Sequence, residues 1–284
     1  MNVLPFDVRV RTVGALVEGN SIRSTERMLG VHRDTIMRFG VLAGEACERF
    51  HSESIRDLSC SHIEVDEAWA FVAKKERRRK PGDPVEFGDA YIFIGMDANS
   101  KFIICWRVDK RSVEAADAFI ADLRARVLGR PQITSDGFIP YREAVEKSFG
   151  GDVDFAMLNK TFKGDMGNQA QHRYSPGRIR SVEKVRIAGR PDMNRASTSY
   201  IERQNLTLRM HIRRLTRLTN AFSKRLRNLK AAVALHFAHY NFCRVHETLR
   251  VTPAMAAGLT DHVWSISELL AVVLGEEISE RRVS

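Results

Sequence analysis

The sequence is poor in cysteine. Four thiols, Cys47, Cys60, Cys105 and Cys243, are scattered through 284 residues and form no CxxC pair. That excludes a disulfide-stapled miniprotein and leaves reduced thiols in a cytoplasmic protein as the simple reading. Long apolar runs are missing too. The longest strongly apolar stretch is AAVALHFA, Ala231 to Ala238, far short of the roughly 20 residues a membrane helix needs. No membrane partner is therefore expected. The N-terminus MNVLPFDVRV has no basic segment leading into an apolar one, so no signal peptide is expected. There is no internal repeat and no low-complexity tract. What is present is the composition of a soluble globular protein, 44% apolar and 28% charged. At about 150 residues per domain the length suggests roughly two domains.

Charge is the first informative quantity. The chain holds 45 basic and 35 acidic residues, a net of +10. The surplus is confined to one segment. Between Lys160 and Lys230 there are 18 basic and 4 acidic residues, or +14. The rest of the chain is 27 minus 31, or −4. A local field of that size suits a polyanion, and a solvated basic face is the ordinary alternative.

The first 60 residues read as helical. Val8 to Val17 carries apolar residues near a 3.6 period, and Gly19-Asn20 breaks it. Ser21 can cap a short helix from Ile22 to Met28. Gly30 interrupts, and a third helix fits His32 to Val41. SIRSTERMLGVHRDTIMRFG is thus helix, Gly turn, helix, the layout of a helix-turn-helix whose second helix enters the DNA major groove. On this reading Ile22, Met28, Val31 and Ile36 are core. His32, Arg33, Asp34, Thr35 and Arg38 face outward on the recognition helix. An ordinary helical hairpin would read the same way.

From Ser61 the pattern turns to strands. HIEVDEAWAFV alternates apolar and polar residues. AYIFIGMD and KFIICWRVD follow, joined by a hairpin signal at Ala98-Asn99-Ser100. KKERRRKPGDP, Lys74 to Pro84, is a charged loop, either a phosphate contact or simply solvated. Val113 to Leu128 is an amphipathic helix, QITSD a short buried strand, and Ile139 to Phe149 a helix. The order is three antiparallel strands, helix, strand, helix. Residues 150–198 read as an irregular insertion in which RIRSVEKVRIAG is a strand or hairpin. Long helices return from Tyr200 to about Thr219 and from Ser223 to about Tyr240.

Three carboxylates stand out by position. Asp66 lies inside the first strand, where a charge is costly unless it is paired or binds a metal. Asp136 closes QITSD, and ligand sites of α/β sheets gather at strand ends. Glu202 lies in the first turn of a helix whose other charges are almost all basic. Two strands and a helix can bring these oxygens to one point, the ligand set of a hard cation such as Mg²⁺. Each also has an ordinary reading. Asp66 can be one acid of EVDE, with Glu64 and Glu67 facing solvent. Asp136 can be a turn former, and Glu202 a complement to the helix dipole. Along the Glu202 helix Arg209, Arg213 and Arg217 recur every fourth residue as one stripe, extended by Arg214. Guanidinium forks suit phosphate contacts.

The sequence resembles bacterial DDE transposases of the insertion-sequence-one family. The resemblance lies in EVDEAWAFV around Asp66, YIFIGMDANSK, TSDGFIPY around Asp136, YIERQNLTLRMHIRRLTRLTNAFSK around Glu202, and HFAHYNFCRVHETLRVTPAMAAGLTD. These blocks span roughly Ser61 to Asp261. The resemblance implies an α/β chain: a ribonuclease-H-like mixed-sheet catalytic core preceded by an all-α helix-turn-helix domain. It implies Asp66, Asp136 and Glu202 as catalytic metal ligands for Mg²⁺ or Mn²⁺, two ions, and a basic residue, Arg209, on the glutamate's helix face. Without a CxxC, a zinc element near Cys47, Cys60 and His62 is not expected.

The expected division is a helix-turn-helix domain over 1–60, a catalytic domain over 61–260 with the insertion near 150–198, and a tail over 261–284. The expected function is transposition: binding terminal inverted repeats, nicking the DNA end and joining it to target DNA. Two metals assist such phosphoryl transfer without a covalent nucleophile, which suits the lack of a convincing Ser/His/Asp or Cys/His set. Partners would be double-stranded DNA and, by analogy, a homo-oligomer in a bacterial, nucleoid-associated setting. A non-catalytic helix-turn-helix regulator, or a ribonuclease-H-like nuclease that cuts without joining, are the other classes.

Overall fold

The computed structural model describes residues 4–162, 179–216 and 219–276. Three helices open the chain, α1 (Phe6–Val17), α2 (Ile22–Leu29) and α3 (Arg33–Ser54). Strands β1 (Leu58–Ser59), β2 (His62–Val72), β3 (Gly88–Asp97) and β4 (Ile103–Asp109) follow. Then come α4 (Val113–Arg124), β5 (Val127–Leu128), β6 (Gln132–Asp136), α5 (Pro140–Phe149), β7 (Asp154–Phe162) and β8 (Ile179–Ala188). The chain closes with α6 (Ser199–His211), α7 (Leu226–Phe242), α8 (Pro253–Ala256) and α9 (Ile266–Leu274). Among the described residues no helix is long and apolar enough to cross a membrane.

Six strands form one mixed sheet in the order β4-β3-β2-β6-β7-β8. The β2–β3, β3–β4 and β7–β8 pairs are antiparallel, and β6 lies parallel to both β2 and β7. The sheet is covered on both faces. Ile63 and Val65 of β2 point into a core with Phe119 and Ile120 of α4 and Tyr141 and Val145 of α5. Ala68, Ala70 and Val72 sit in a second core with Leu208 of α6 and Val233 and Phe237 of α7. Helix α7 is buried from Leu229 to Phe242 on nearly every side, and its buried Asn241 is satisfied by two bonds to the Ile103 backbone of β4.

The expected irregular insertion is largely sheet in its described part. DFAMLNKTF and IRSVEKVRIA are the strands β7 and β8, added beyond β6. Val153 and Phe155 to Leu158 are buried on both sides. A strand covered on both faces reads as a continuous apolar run rather than an alternation, and so it escapes the period-2 test.

At the N-terminus the expected caps are in place. The Ser21 hydroxyl accepts the Ser24 N–H at 3.0 Å, and Gly30 ends α2 with φ +66°. Ile36 is fully buried, but Met28 is 55% exposed and does not belong to the core. Helix α3 runs on past Val41 to Ser54. The reason is tertiary. Phe39, Ala43 and Cys47 share a core with Val13 and Val17 of α1, Ala234 and Leu235 of α7, and Leu269 of α9. Gly44 lets the α3 and α7 backbones touch: a Cβ there would stand 2.1 Å from the Ala231 carbonyl oxygen.

Candidate active site

The parallel register of β2 and β6 builds the site. Their pairing runs to Val65↔Ser135. The next residues on each strand, Asp66 and Asp136, therefore stand side by side where β6 ends. Asp136 also uses its Oδ1 to accept the Phe138 N–H at 3.1 Å, so its turn-forming role is real as well. Glu67 joins them from the neighbouring position. One oxygen each of Asp66, Glu67 and Asp136 lies within 4.8 Å of the other two.

Three carboxylates that close repel one another in a half-buried setting. Burial first, and then the Asp136 charge, push the Asp66 carboxyl up to about 7. Burial likewise raises Asp136 and Glu67 above the ordinary carboxylate range, and the Asp136 charge adds to the rise at Glu67. Arg111 partly offsets this. Its guanidinium donates to Glu67 Oε2 at 3.0 Å and lies 4.1 Å over the Phe138 ring. The buried Tyr141 hydroxyl also faces the Glu67 carboxylate and favours its charged form. Glu67 therefore does not face solvent; its side chain is 4% exposed. An all-oxygen donor set with mutual repulsion fits a hard divalent cation.

Helix α6 is pinned across the same sheet face by Glu64, two residues before Asp66. Glu64 is buried, again contrary to a solvated EVDE. Its Oε2 accepts the Ile201 N–H at 2.8 Å, in the open first turn of α6. Burial pushes the Glu64 carboxyl up to about 7, while the backbone N–H groups of Ile201 and Tyr200 pull it down. One turn further along, Asn205 donates its Nδ2 to Asp66 Oδ2 at 2.8 Å. Between these contacts stands Glu202. Its charge reaches Asp66 and Asp136 and adds to the rise of both. Its carboxylate lies outside the tight three-oxygen group. Oε1 is ion-paired with Lys160 of β7 and accepts the Thr198 hydroxyl at 2.7 Å.

The basic residues divide. Arg33 and Arg38 are exposed on the first turns of α3, where Arg38 donates to the Asp34 carbonyl at 3.3 Å. Arg209 lies on α6, seven residues after Glu202. Arg213 and Arg214 are not on that helix. The helix ends at His211, Ile212 turns extended with φ −99° and ψ 102°, and a 3-10 turn spans Arg213–Leu215. Ile212 and Leu215 both bury in the sheet core, and their anchoring bends the chain away. A single stripe running from Arg209 through Arg213 therefore does not form, and Arg217 lies outside the described residues. Arg214 is withdrawn from solvent, which lowers its pKa, and reaches Ser223 Oγ at 3.4 Å.

Sequence reasoning singled out Asp66, Asp136 and Glu202 and missed Glu67, Glu64, Asn205, Lys160 and Arg111. The period of two in HIEVDEAWAFV puts Glu64 on the Asp66 face, so that signal was available. The roles of Lys160 and Arg111 depend on strands and loops distant in sequence and leave no local mark.

The sequence matches no family model and no curated protein. Solved structures are similar at low levels. The piggyBac transposase synaptic complex with hairpin DNA shares 11% identity at a TM-score of 0.40, over 94% of this chain and 69% of that one. The Mos1 strand transfer complex shares 14% identity at a TM-score of 0.21, over 54% and 59%. The Mos1 mariner paired end complex with Mn shares 13% at 0.20, over 52% and 59%. The match thus spans about three fifths of the Mos1 chains.

Proposed function

We propose that the chain is a DDE transposase of the insertion-sequence-one family, with a ribonuclease-H-like core over 61–260 that cuts and joins DNA ends. The observation that carries this reading is the cluster of Asp66, Glu67 and Asp136 at the end of β6, with Glu202 held beside it on α6. Asp66, Asp136 and Glu202 would hold Mg²⁺ or Mn²⁺, two ions, with Glu67 as a further donor. When bound, the metals would lower the barrier to in-line attack at phosphorus by activating the attacking oxygen and steadying the leaving one.

The chain's own groups do the positioning. Glu64 fixes the first turn of α6, Asn205 orients Asp66, and Lys160 neutralises Glu202 in the metal-free state. Arg209, on the helix of Glu202, is assigned to a phosphate flanking the reacting one, with Arg213, Arg214 and Arg217 adding positive field. Residues 1–60 are assigned to terminal-repeat recognition through Arg33 and Arg38, and 261–284 to a tail of which α9 packs against α1, α3 and α7. Terminal repeats and target DNA are the partners, in a homo-oligomer that brings two ends together in a bacterial cytoplasm.

The test is a strand-cleavage and strand-transfer assay on the element's own ends. Asp66→Asn, Asp136→Asn and Glu202→Gln should each abolish cleavage with Mg²⁺ while leaving end binding largely intact. A variant that cuts at the wild-type rate removes that residue from the ligand set.

A further inference from the structure

Beyond Asp66 the open edge of β2 carries a second feature. Strand β6 ends at Asp136, while β2 runs on to Val72. From Asp66 onward β2 has no strand on that side among the described residues. A groove of about 610 Å³ follows this edge. Trp69 and Phe71 form its floor with ring centroids 5.7 Å apart. Phe222 lies 4.7 Å from Phe71, tied down where the Ala73 N–H donates to the Ser223 carbonyl. Partly exposed aromatic faces in a row are unusual on a soluble surface.

The groove is lined by cations whose pairing is uneven. In the loop after β2, Asp83 accepts from Lys74 at 2.9 Å, and Glu76 accepts from Arg79 at 2.8 Å and from the Asp89 N–H at 2.9 Å. Those two acids thereby hold the loop in shape. Lys75, Arg77 and Arg78 line the groove, are exposed, and have no ion pair among the described residues. Arg209 forms the far wall, on the helix of Glu202. Along β2, Trp69 lies two residues past Glu67 and on the same strand face, about 7 Å away at ~3.3 Å per residue. The groove therefore leads directly away from the carboxylates.

We propose that this groove binds single-stranded DNA continuous with the end being cut, its bases stacked on Trp69 and Phe71, which Phe222 supports with its own ring covered by Lys224 Nζ at 3.6 Å, and its phosphates met by Lys75, Arg77 and Arg78. Aromatic faces beside a cationic wall recognise unstacked bases without reading their sequence. A duplex keeps its base faces covered and would use only the cations. The inference rests on the transposase reading for the source of the strand, but the binding itself does not require cleavage.

The test uses the full chain in EDTA, with a labelled short oligothymidylate and a blunt duplex of the same length. Trp69→Ala should lower the ratio of single-strand to duplex affinity by about tenfold or more, with Trp69→Phe restoring most of it. Phe222→Ala should shift the ratio in the same direction, which guards against a folding defect peculiar to Trp69. Replacing Arg77 and Arg78 together with Ala should flatten the salt dependence of oligothymidylate binding by about 1.4 in log–log slope. If Trp69→Ala and Phe222→Ala leave the ratio unchanged, the groove assignment falls even if the wild type cleaves DNA. If the ratio falls as expected but wild-type protein with Mg²⁺ never cuts an end, the transposase reading falls and the groove stands.

Discussion

Neutralising Asp66 should stabilise the metal-free protein, the reverse of what removing a native contact usually does. The folded-state carboxyl is raised from 3.8 to about 7. The folded chain therefore holds this proton more tightly than the unfolded chain. Stability from this group is fully present below pH 3.8, is lost as pH climbs toward 7, and stays lost above it. A rise of about three units at about 1.4 kcal/mol each gives an upper limit of ~4 kcal/mol. Asp66 is partly open to water, which brings the figure down to about 2 kcal/mol. Asp66→Asn removes the charge and keeps an oxygen to accept from Asn205. At pH 8 in EDTA the variant should melt about 4 °C above wild type, at ~2 °C per kcal/mol for a chain of this size. At pH 4 the two should melt together, because wild-type Asp66 is then largely protonated. The comparison cancels the buried histidines, such as His51 and His236, which affect both proteins alike. Mn²⁺ at a hundred times its dissociation constant should raise wild type by about 2.7 kcal/mol and leave the variant nearly unmoved. Thermal denaturation followed by circular dichroism at both pH values reads all four cases. A variant less stable than wild type at pH 8 in EDTA, or one that gains as much from Mn²⁺, would refute the reasoning.

Other substitutions test the supports of the site. Glu64→Ala should cost about 1–2 kcal/mol by uncapping α6 and slow cleavage by shifting Glu202, while Glu64→Gln, which keeps the acceptor, should recover most of both in a denaturant melt and a nicking assay. Gly44→Ala should destabilise by about 3 kcal/mol or more, although Ala is the better helix former, because its methyl would overlap the Ala231 backbone; an unchanged or raised melting temperature would contradict the close approach of α3 and α7. Arg209→Ala should lower the salt slope of end binding by about one unit and slow cleavage without altering metal affinity, and identical slopes and rates would remove its phosphate contact.

What could be read in the sequence follows a physical divide. HIEVDEAWAFV and QITSD were legible as strands because short-range period and turn residues mark them, and their register then brings Asp66 and Asp136 together. Strand β7 was hidden because burial of Phe155 to Leu158 on both faces erases alternation, whereas β8, exposed along much of its length, was legible in RIRSVEKVRIAG as a strand or hairpin. Helix ends went wrong wherever tertiary contacts set them: α3 continues because α7 and α9 cover it, and α6 stops early because Ile212 and Leu215 are drawn into the sheet core. Glu64 and Glu67 were misjudged for a related reason. Acids in a charged tetrapeptide default to solvent, and only the sheet shows one capping a helix and the other facing two aspartates.

Helix α3 has a consequence for where DNA would be cut. Its 22 residues make a rod about 33 Å long at ~1.5 Å per residue, close to one turn of duplex. Arg33 and Arg38 occupy one end. Near the other, the His51 ring nitrogen bonds the Ile104 carbonyl oxygen inside the sheet layer at 2.8 Å. No hinge interrupts the rod, and Gly44 locks it against α7 midway. On the proposed reading, a repeat gripped at Arg33 and Arg38 is held at a set offset from Asp66. The protein then works as a gauge, measuring base pairs between the sequence it reads and the bond it breaks. Lengthening the rod by a turn would move the scissile phosphate while leaving the recognised sequence the same.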